Sequence, residues 1–271
     1  MHRETARIPD LYPNLRITRI SVPSRDSDRN IDTTLDQPPS TISMPKPVLV
    51  NWHGSVFVFT GIHGSDALLC ARMVSDLGIY VIDADYHKAS EHLFPAAVHD
   101  VKDALNYIAT QPKLFDPRNV AVSAFSADGT LALIQAVAAV YPATDKNIPN
   151  EGLSVPKPIN LMAPRMRNFL DGCYLPETQS RTDPLVSPAY ALLHAFPGTV
   201  VVFTAEGDEL STEAGVFARK VKVRERDVVY KCFEDMWHGF DKGAKAGTEA
   251  AECRNEAYSI IAERLKVVLL G

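Results

Sequence analysis

The chain has 271 residues, 46% of them hydrophobic and 23% charged, which suits one globular α/β unit able to bury a sizeable core. A formal net charge of −5 and the lack of a prominent Lys/Arg run argue against a surface that tracks nucleic-acid phosphates. Cys70, Cys173, Cys232 and Cys253 are scattered without C-x-x-C spacing, so neither a zinc site nor a dense disulfide framework is expected.

The first thirteen residues are polar and proline-interrupted with no apolar h-region, and no apolar run reaches the roughly 18 residues that cross a bilayer. The expectation is a soluble cytoplasmic protein with no membrane partner. Residues 15–22 alternate, with Arg16, Thr18 and Ser21 between Ile17, Ile20 and Val22, and predict a half-buried strand. Residues 25–46, rich in Ser, Asp, Pro and Thr, predict a second weak strand and then a surface loop. From Pro47 onward, short apolar runs at 47–52, 79–83, 120–123 and 199–204 each end in a polar or glycine-containing loop. Between them, 66–77, 95–109, 127–141, 212–223 and 249–269 predict helices. Continuous apolar strands alternating with helices indicate a mostly parallel central sheet covered on both faces, with chemistry beyond the strands' carboxyl ends. Neither an internal repeat nor a low-complexity linker is present, so 1–271 is expected to form a single domain.

Three loops carry candidate chemistry. Asn119-Val-Ala-Val-Ser-Ala-Phe-Ser-Ala-Asp-Gly129 joins an apolar strand directly to an apolar helix, where Ser126 would stand on a sharp turn with its hydroxyl above the sheet. On this stretch alone Ser126 is equally well read as a helix N-cap. Val200-Val-Val-Phe-Thr-Ala-Glu-Gly-Asp-Glu-Leu210 ends a strand in a carboxylate-rich loop that offers Asp208, with Glu206 competing, as a triad acid. A strand over 228–233 leads into Met236-Trp-His-Gly-Phe240, which sets His238 before the last helix. Taken alone, one of eight histidines is better read as packed or surface-exposed. The chain order Ser, Asp, His is the order of the α/β-hydrolase triad.

With these blocks assembled, the chain resembles the hormone-sensitive-lipase family of esterases, and within it a group of fungal-looking carboxylesterases, from about Ile20 to the end. Trp52-His-Gly-Ser-Val-Phe57 resembles the family's H-G-G-G-[FW] oxyanion loop. Asp85-Tyr-His-Lys-Ala-Ser-Glu-His92 with Phe94-Pro-Ala-Ala97 is similar to D-Y-R-L-A-P-E-H and F-P-A-A. Ala124 to Gly129 corresponds to G-D-S-A-G-G, Ala205 to Leu210 to A-E-x-D-P-L, and His238-Gly-Phe240 to H-G-F. The resemblance implies the α/β-hydrolase fold, Ser126, Asp208 and His238 as catalytic triad, and an oxyanion hole from the N–H groups of Ser55, Val56 and Ala127. It also implies His53 and Gly54 as pocket residues and Asp128 as a modulator close to the developing charge. His53, Asp85 and Glu91 are expected to support loops, and His63 and His87 to lie at the surface or rim. The family's helical cap is expected in reduced form, built from 1–15 and 168–191.

Val56 and Asp128 stand where the family has glycines. Positive φ at a β-branched residue is strongly disfavoured, and a carboxylate beside the oxyanion would oppose the electrostatics of hydrolysis. Asp128 pointing away as a helix cap is the equal alternative. The leading expectation is an ester or lactone hydrolase using a small or medium acyl substrate, polyketide-like compounds included, without metal or organic cofactor. The second is a non-hydrolytic cyclase, dehydratase or condensation enzyme of specialised metabolism. The third is a binding protein, as the family's gibberellin receptors are, but those lose the histidine that His238 retains. Pairing into a homodimer is left open.

Overall fold

The computed structural model describes residues 8–26, 29–39, 45–126 and 135–271. The apolar runs become the middle of one eight-stranded sheet with the order β1-β2-β4-β3-β5-β6-β7-β8. These strands are β1 Arg16–Pro23, β2 Asn30–Gln37, β3 Lys46–Trp52, β4 Tyr80–Ala84, β5 Phe115–Phe125, β6 Ala136–Val140, β7 Thr199–Ala205 and β8 Asp227–Phe233. Pairings β1–β2 and β2–β4 are antiparallel and all others are parallel.

Alternate residues of each central strand feed opposite faces. Leu49, Val81, Ala121 and Val201 meet α2 (Ala67–Leu77) and α6 (Glu249–Leu270) on one side. On the other, Val48 and Val50 meet α3 (Ala96–Thr110), while Val200 and Val202 meet α5 (Ser211–Val221). Burial on both faces removes the alternation that an exposed strand face would show. Two further helices form, α1 (Ile8–Leu11) within the segment 1–15 and α4 (Pro164–Tyr174), which runs into the segment 168–191. No helix among the described residues is long and apolar enough to cross a membrane.

One expected helix is corrected. Of the helix expected over 127–141, Ala136–Val140 is a strand, and 127–134 lie outside the described residues. The run Ala136-Val-Ala-Ala-Val140 is alanine-rich, which favours a helix locally. Its place between β5 and β7, bonded to both, overrides that preference. As a result β6 separates β5 from β7.

The antiparallel part of the sheet carries a buried acid on β2, between β1 and β4. Asp36 is 3% exposed and its Oδ1 has no partner among the described residues. Burial pushes its carboxyl up to about 8, with Asp83 adding to the rise and the Thr34 hydroxyl opposing it. In the unfolded chain the same group titrates near 3.9. Between those values the native state keeps a proton that the unfolded state releases, so stability falls as pH rises from about 4 to about 8. Asp36→Asn keeps the shape and removes the titration. Melting curves should show Tm raised by a few degrees near pH 8 and little changed near pH 4. An equal Tm for both proteins at the higher pH would remove the argument.

Candidate active site

The site lies beyond the carboxyl ends of β3, β5 and β7, the place open parallel sheets reserve for ligands. Ser126 follows β5 directly and has φ of +66°, a left-handed conformation rare for residues other than glycine. Its N–H donates to the Val140 carbonyl at 3.1 Å and its own carbonyl accepts from Ala143 N–H, so β6 and the loop after it hold the turn. Ser126 is 9% exposed.

Opposite it runs the loop after β3. A Cβ on Gly54 would lie 2.9 Å from the Phe125 carbonyl oxygen and 3.0 Å from Ser126 Cβ, so only glycine allows this approach. Val56 and Phe57 both have positive φ, +52° and +61°. Such a backbone costs about 1–2 kcal/mol at each residue and persists where packing over-determines it. Here the Phe57 ring stacks on Tyr174 at 3.8 Å, Phe57 O accepts from Ala89 N–H, and the Ser55 and Tyr86 hydroxyls share a hydrogen bond of 2.6 Å. The carbonyl of Ser55 is used by Val58 and Phe59, whereas no described residue accepts from the Ser55 or Val56 N–H. Among the described residues these two backbone donors are therefore unpaired, and Val56 shares the cavity wall with Ser126. Ala127 and Asp128 lie outside the described residues.

On the third side, Asp208 is 1% exposed and its Oδ2 lies 2.7 Å from His238 Nδ1. Asp208 Oδ1 accepts from Leu210 N–H at 3.1 Å, and the Tyr141 ring packs 4.6 Å from the imidazole. The competing Glu206 faces outward, bonded to Asp235 N–H at 3.0 Å and Lys157 at 3.3 Å. Ser126 and His238 line one cavity of about 170 Å³. No hydrogen bond joins them among the described residues. Val56, Phe57, Ala143, Met162 and Leu210 give the cavity apolar wall, while Lys146, Asn160, Arg167 and Glu209 add polar groups.

The supporting residues behave unevenly. His53 is buried and its Nε2 meets Asp85 Oδ1 at 2.8 Å, which ties the loops after β3 and β4. Burial raises the Asp85 carboxyl, but the His53 hydrogen bond and Lys88 together hold it below the usual range. His63 reaches the Asp83 carbonyl at 3.1 Å. His87 is corrected from surface or rim to buried: it is 5% exposed, and its Nδ1 lies 2.9 Å from Asp100 Oδ2. The cavity wall is also displaced from the expected cap. Residues 160–167 contribute to it and 168–191 contribute none, although Tyr174 braces Phe57 from behind. Gly207 explains the displacement. A Cβ there would meet the Ile159 side chain at 2.6 Å, and Gly207 O accepts Ile159 N–H at 3.0 Å, so the acid loop pins this segment over the site.

Sequence reasoning missed Arg167, Asn160, Lys146 and Glu209. Arg167 and Glu209 form a buried ion pair, and Arg167 also donates to Met162 O at 2.9 Å. The one available signal was Glu209 standing at the proline of A-E-x-D-P-L. Among the described residues, no group of three or more His, Cys, Asp or Glu is arranged to hold a metal ion.

A strand-borne serine on a strained turn, a glycine loop against it and an Asp–His pair across the cavity define the class, and the chain belongs to the alpha/beta hydrolase fold family, whose pattern matches residues 49–242. It is 24% identical to the carboxylesterase NlhH of Mycobacterium tuberculosis, over 97% of this chain and 87% of that protein. With the ethyl acetate hydrolase of Pseudomonas putida it shares 24% identity, over 87% of this chain and 79% of that one. The solved esterase of Pyrobaculum calidifontis superposes with a TM-score of 0.77 at 26% identity, covering 93% of this chain and 85% of that one. The family and these likenesses place the chain among hydrolases of the carboxylesterase type.

Proposed function

We propose that the chain is a serine carboxylesterase of the hormone-sensitive-lipase branch, acting on esters or lactones with a small acyl part through Ser126, His238 and Asp208. The observation that carries this reading is that Ser126 and His238 share one cavity while Asp208 holds the imidazole's other nitrogen. Asp208 accepts the Nδ1 proton, which leaves Nε2 free to take the Ser126 hydroxyl proton. The oxygen then attacks the ester carbonyl carbon. Negative charge develops on the carbonyl oxygen, where the open N–H groups of Ser55 and Val56 receive it. Collapse of the tetrahedral intermediate expels the alcohol, which takes its proton from His238. Water, with His238 as base, then releases the acid from Ser126.

The missing Ser126–His238 hydrogen bond is compatible with this sequence, because such contacts often tighten only when substrate is bound. The cavity of about 170 Å³ is well below the range of roughly 300–1,000 Å³ typical of drug-sized ligands, which favours a short acyl part. The ethyl acetate hydrolase relative, whose named substrate has a short acyl part, supports the same substrate class. A fluorophosphonate probe tests the reading directly. Mass spectrometry should find one adduct, on Ser126, absent from Ser126→Ala and suppressed by a short acyl ester. A folded protein that takes no label, or takes it elsewhere, would rule the reading out.

A further inference from the structure

A second cleft, of about 350 Å³, adjoins the catalytic cavity and shares Glu209 with it. Its walls are apolar, from Ile148, Leu153, Val216 and Phe217, and Glu213 is set into them from the first turn of α5. Glu213 is 5% exposed. Its Oε1 accepts the Thr144 N–H at 2.7 Å and the Asp145 N–H at 3.4 Å. Its Oε2 is cut off from water and has no partner among the described residues. A buried carboxylate oxygen normally finds a donor, so one left without a partner in the wall of a cleft points to a guest that brings the donor.

The surrounding charges say which kind of guest. Lys146 Nζ is held by Asp171 at 2.8 Å, Arg167 is paired with Glu209, and Lys220 Nζ is bonded to the Ala189 and Ala191 carbonyls. Each cation near the cleft therefore has its own acceptor. Asp145 and Tyr190 line the cleft as well, and Asp145 adds a second acid. The cleft offers an uncommitted acceptor in an apolar setting, which an ammonium on a small apolar body complements.

We propose that this cleft binds a protonated amine carried on a small apolar body, with Glu213 Oε2 as acceptor, as the subsite for the alcohol part of the ester. The second clause rests on the esterase reading above, whereas the first stands without it. Connectivity supports the link. Ala143 lines the catalytic cavity, and Glu213 holds the N–H of the next residue, Thr144, about 3.8 Å along the chain. Burial pushes the Glu213 carboxyl up to about 7, the Thr144 and Asp145 N–H groups and Lys146 oppose the rise, and Asp145 adds to it. Near neutral pH a proton and the ammonium thus compete for one carboxylate.

Calorimetric titration with phenethylamine and with neutral 2-phenylethanol separates charge from apolar fit. The amine should bind wild type about tenfold more tightly at pH 8 than at pH 6, the change in ionised fraction of a group titrating near 7. The alcohol should bind more weakly and without pH dependence. Glu213→Gln, which keeps an oxygen for the Thr144 N–H, should lose both the preference and the pH effect. Equal binding of amine and alcohol, or an amine affinity flat in pH, overturns the site, and the wild-type titration alone decides this if the variant fails to fold. A kinetic comparison then tests the link, using the butyrates of 2-(dimethylamino)ethanol and of 3-methylbutanol. At pH 8, Glu213→Gln should lower kcat/KM about tenfold for the first and leave the second unchanged. Amine binding with neither ester hydrolysed keeps the site and removes the esterase reading. Hydrolysis of both esters at equal rates keeps the esterase and removes the subsite.

Discussion

Asp208→Asn is expected to lower kcat for a short acyl ester by about ten-thousand-fold while leaving KM within a few-fold, because the acid acts on the imidazole and not on bound substrate. Asp208 Oδ2 accepts from His238 Nδ1 at 2.7 Å and is enclosed, so its charge faces the imidazole with little water between. An amide at that position can donate to Nδ1 and so favour the tautomer whose Nε2 carries a proton. That tautomer cannot take the Ser126 hydroxyl proton. Even with the amide turned to accept, the neutral oxygen would stabilise the imidazolium far less. Glu206→Gln is the matched control. Its carboxylate bonds to Asp235 N–H and Lys157 at the surface, so kcat should stay within about two-fold, as exposed ion pairs contribute little. Steady-state kinetics on the two variants separates the candidates. The reverse result, with Glu206→Gln inactive and Asp208→Asn active, would transfer the acid role.

Most of the sheet was legible because its strands are buried on both faces. Leu49, Val81, Val122 and Val201 sit in unbroken apolar runs that end where loops carry polar residues. The strand at Ala136–Val140 was not legible, since an alanine-rich run satisfies a helix as well as a narrow place between two strands. At the site, chain order and local motifs single out Ser126, Asp208 and His238, and the structure sets Asp208 against His238 with Ser126 in the same cavity as the histidine. The positive φ at Val56 follows the family's glycine pattern in spite of the residue, so the backbone is set by the packing of Phe57 on Tyr174, a contact across more than a hundred residues. The pairing of Arg167 with Glu209 and the open oxygen of Glu213 could not be read in advance. No local period tells which buried charges will face one another once α4 is folded over the acid loop. His87 shows the same limit from the other side: a histidine in a polar stretch, buried because Asp100 of α3 and Arg29 close over it.

A second large effect is expected in stability, at the lysine four residues after His238. Lys242 Nζ pairs with Asp66 and, at 2.8 Å, with Asp241, and lies 3.5 Å from the centre of the Phe125 ring. Both acids are at most 1% exposed, while the lysine stem reaches the surface with 24% of its side chain exposed. Burial disfavours the ammonium, but Asp241 and Asp66 outweigh it and hold its titration above the usual lysine value. Asp241 also accepts from the Tyr141 and Tyr258 hydroxyls at 2.7 and 2.8 Å, so one carboxylate joins the loop of His238, the turn after β6 and helix α6. Lys242→Met fits the stem but leaves two enclosed carboxylates without their cation. Removing one partner of a buried pair costs about 3–5 kcal/mol, which for a chain of this size corresponds to a Tm lower by roughly 10 °C. Adding Asp66→Asn removes one of the stranded charges and should restore part of the loss, a coupling that distinguishes charge burial from lost stem packing. Because Tyr141 also packs on His238, the single variant should lose esterase activity at temperatures below its own melting transition. A Tm within about 2 °C of wild type would show that the two acids are solvated or protonated and that the lysine is not what holds this corner together.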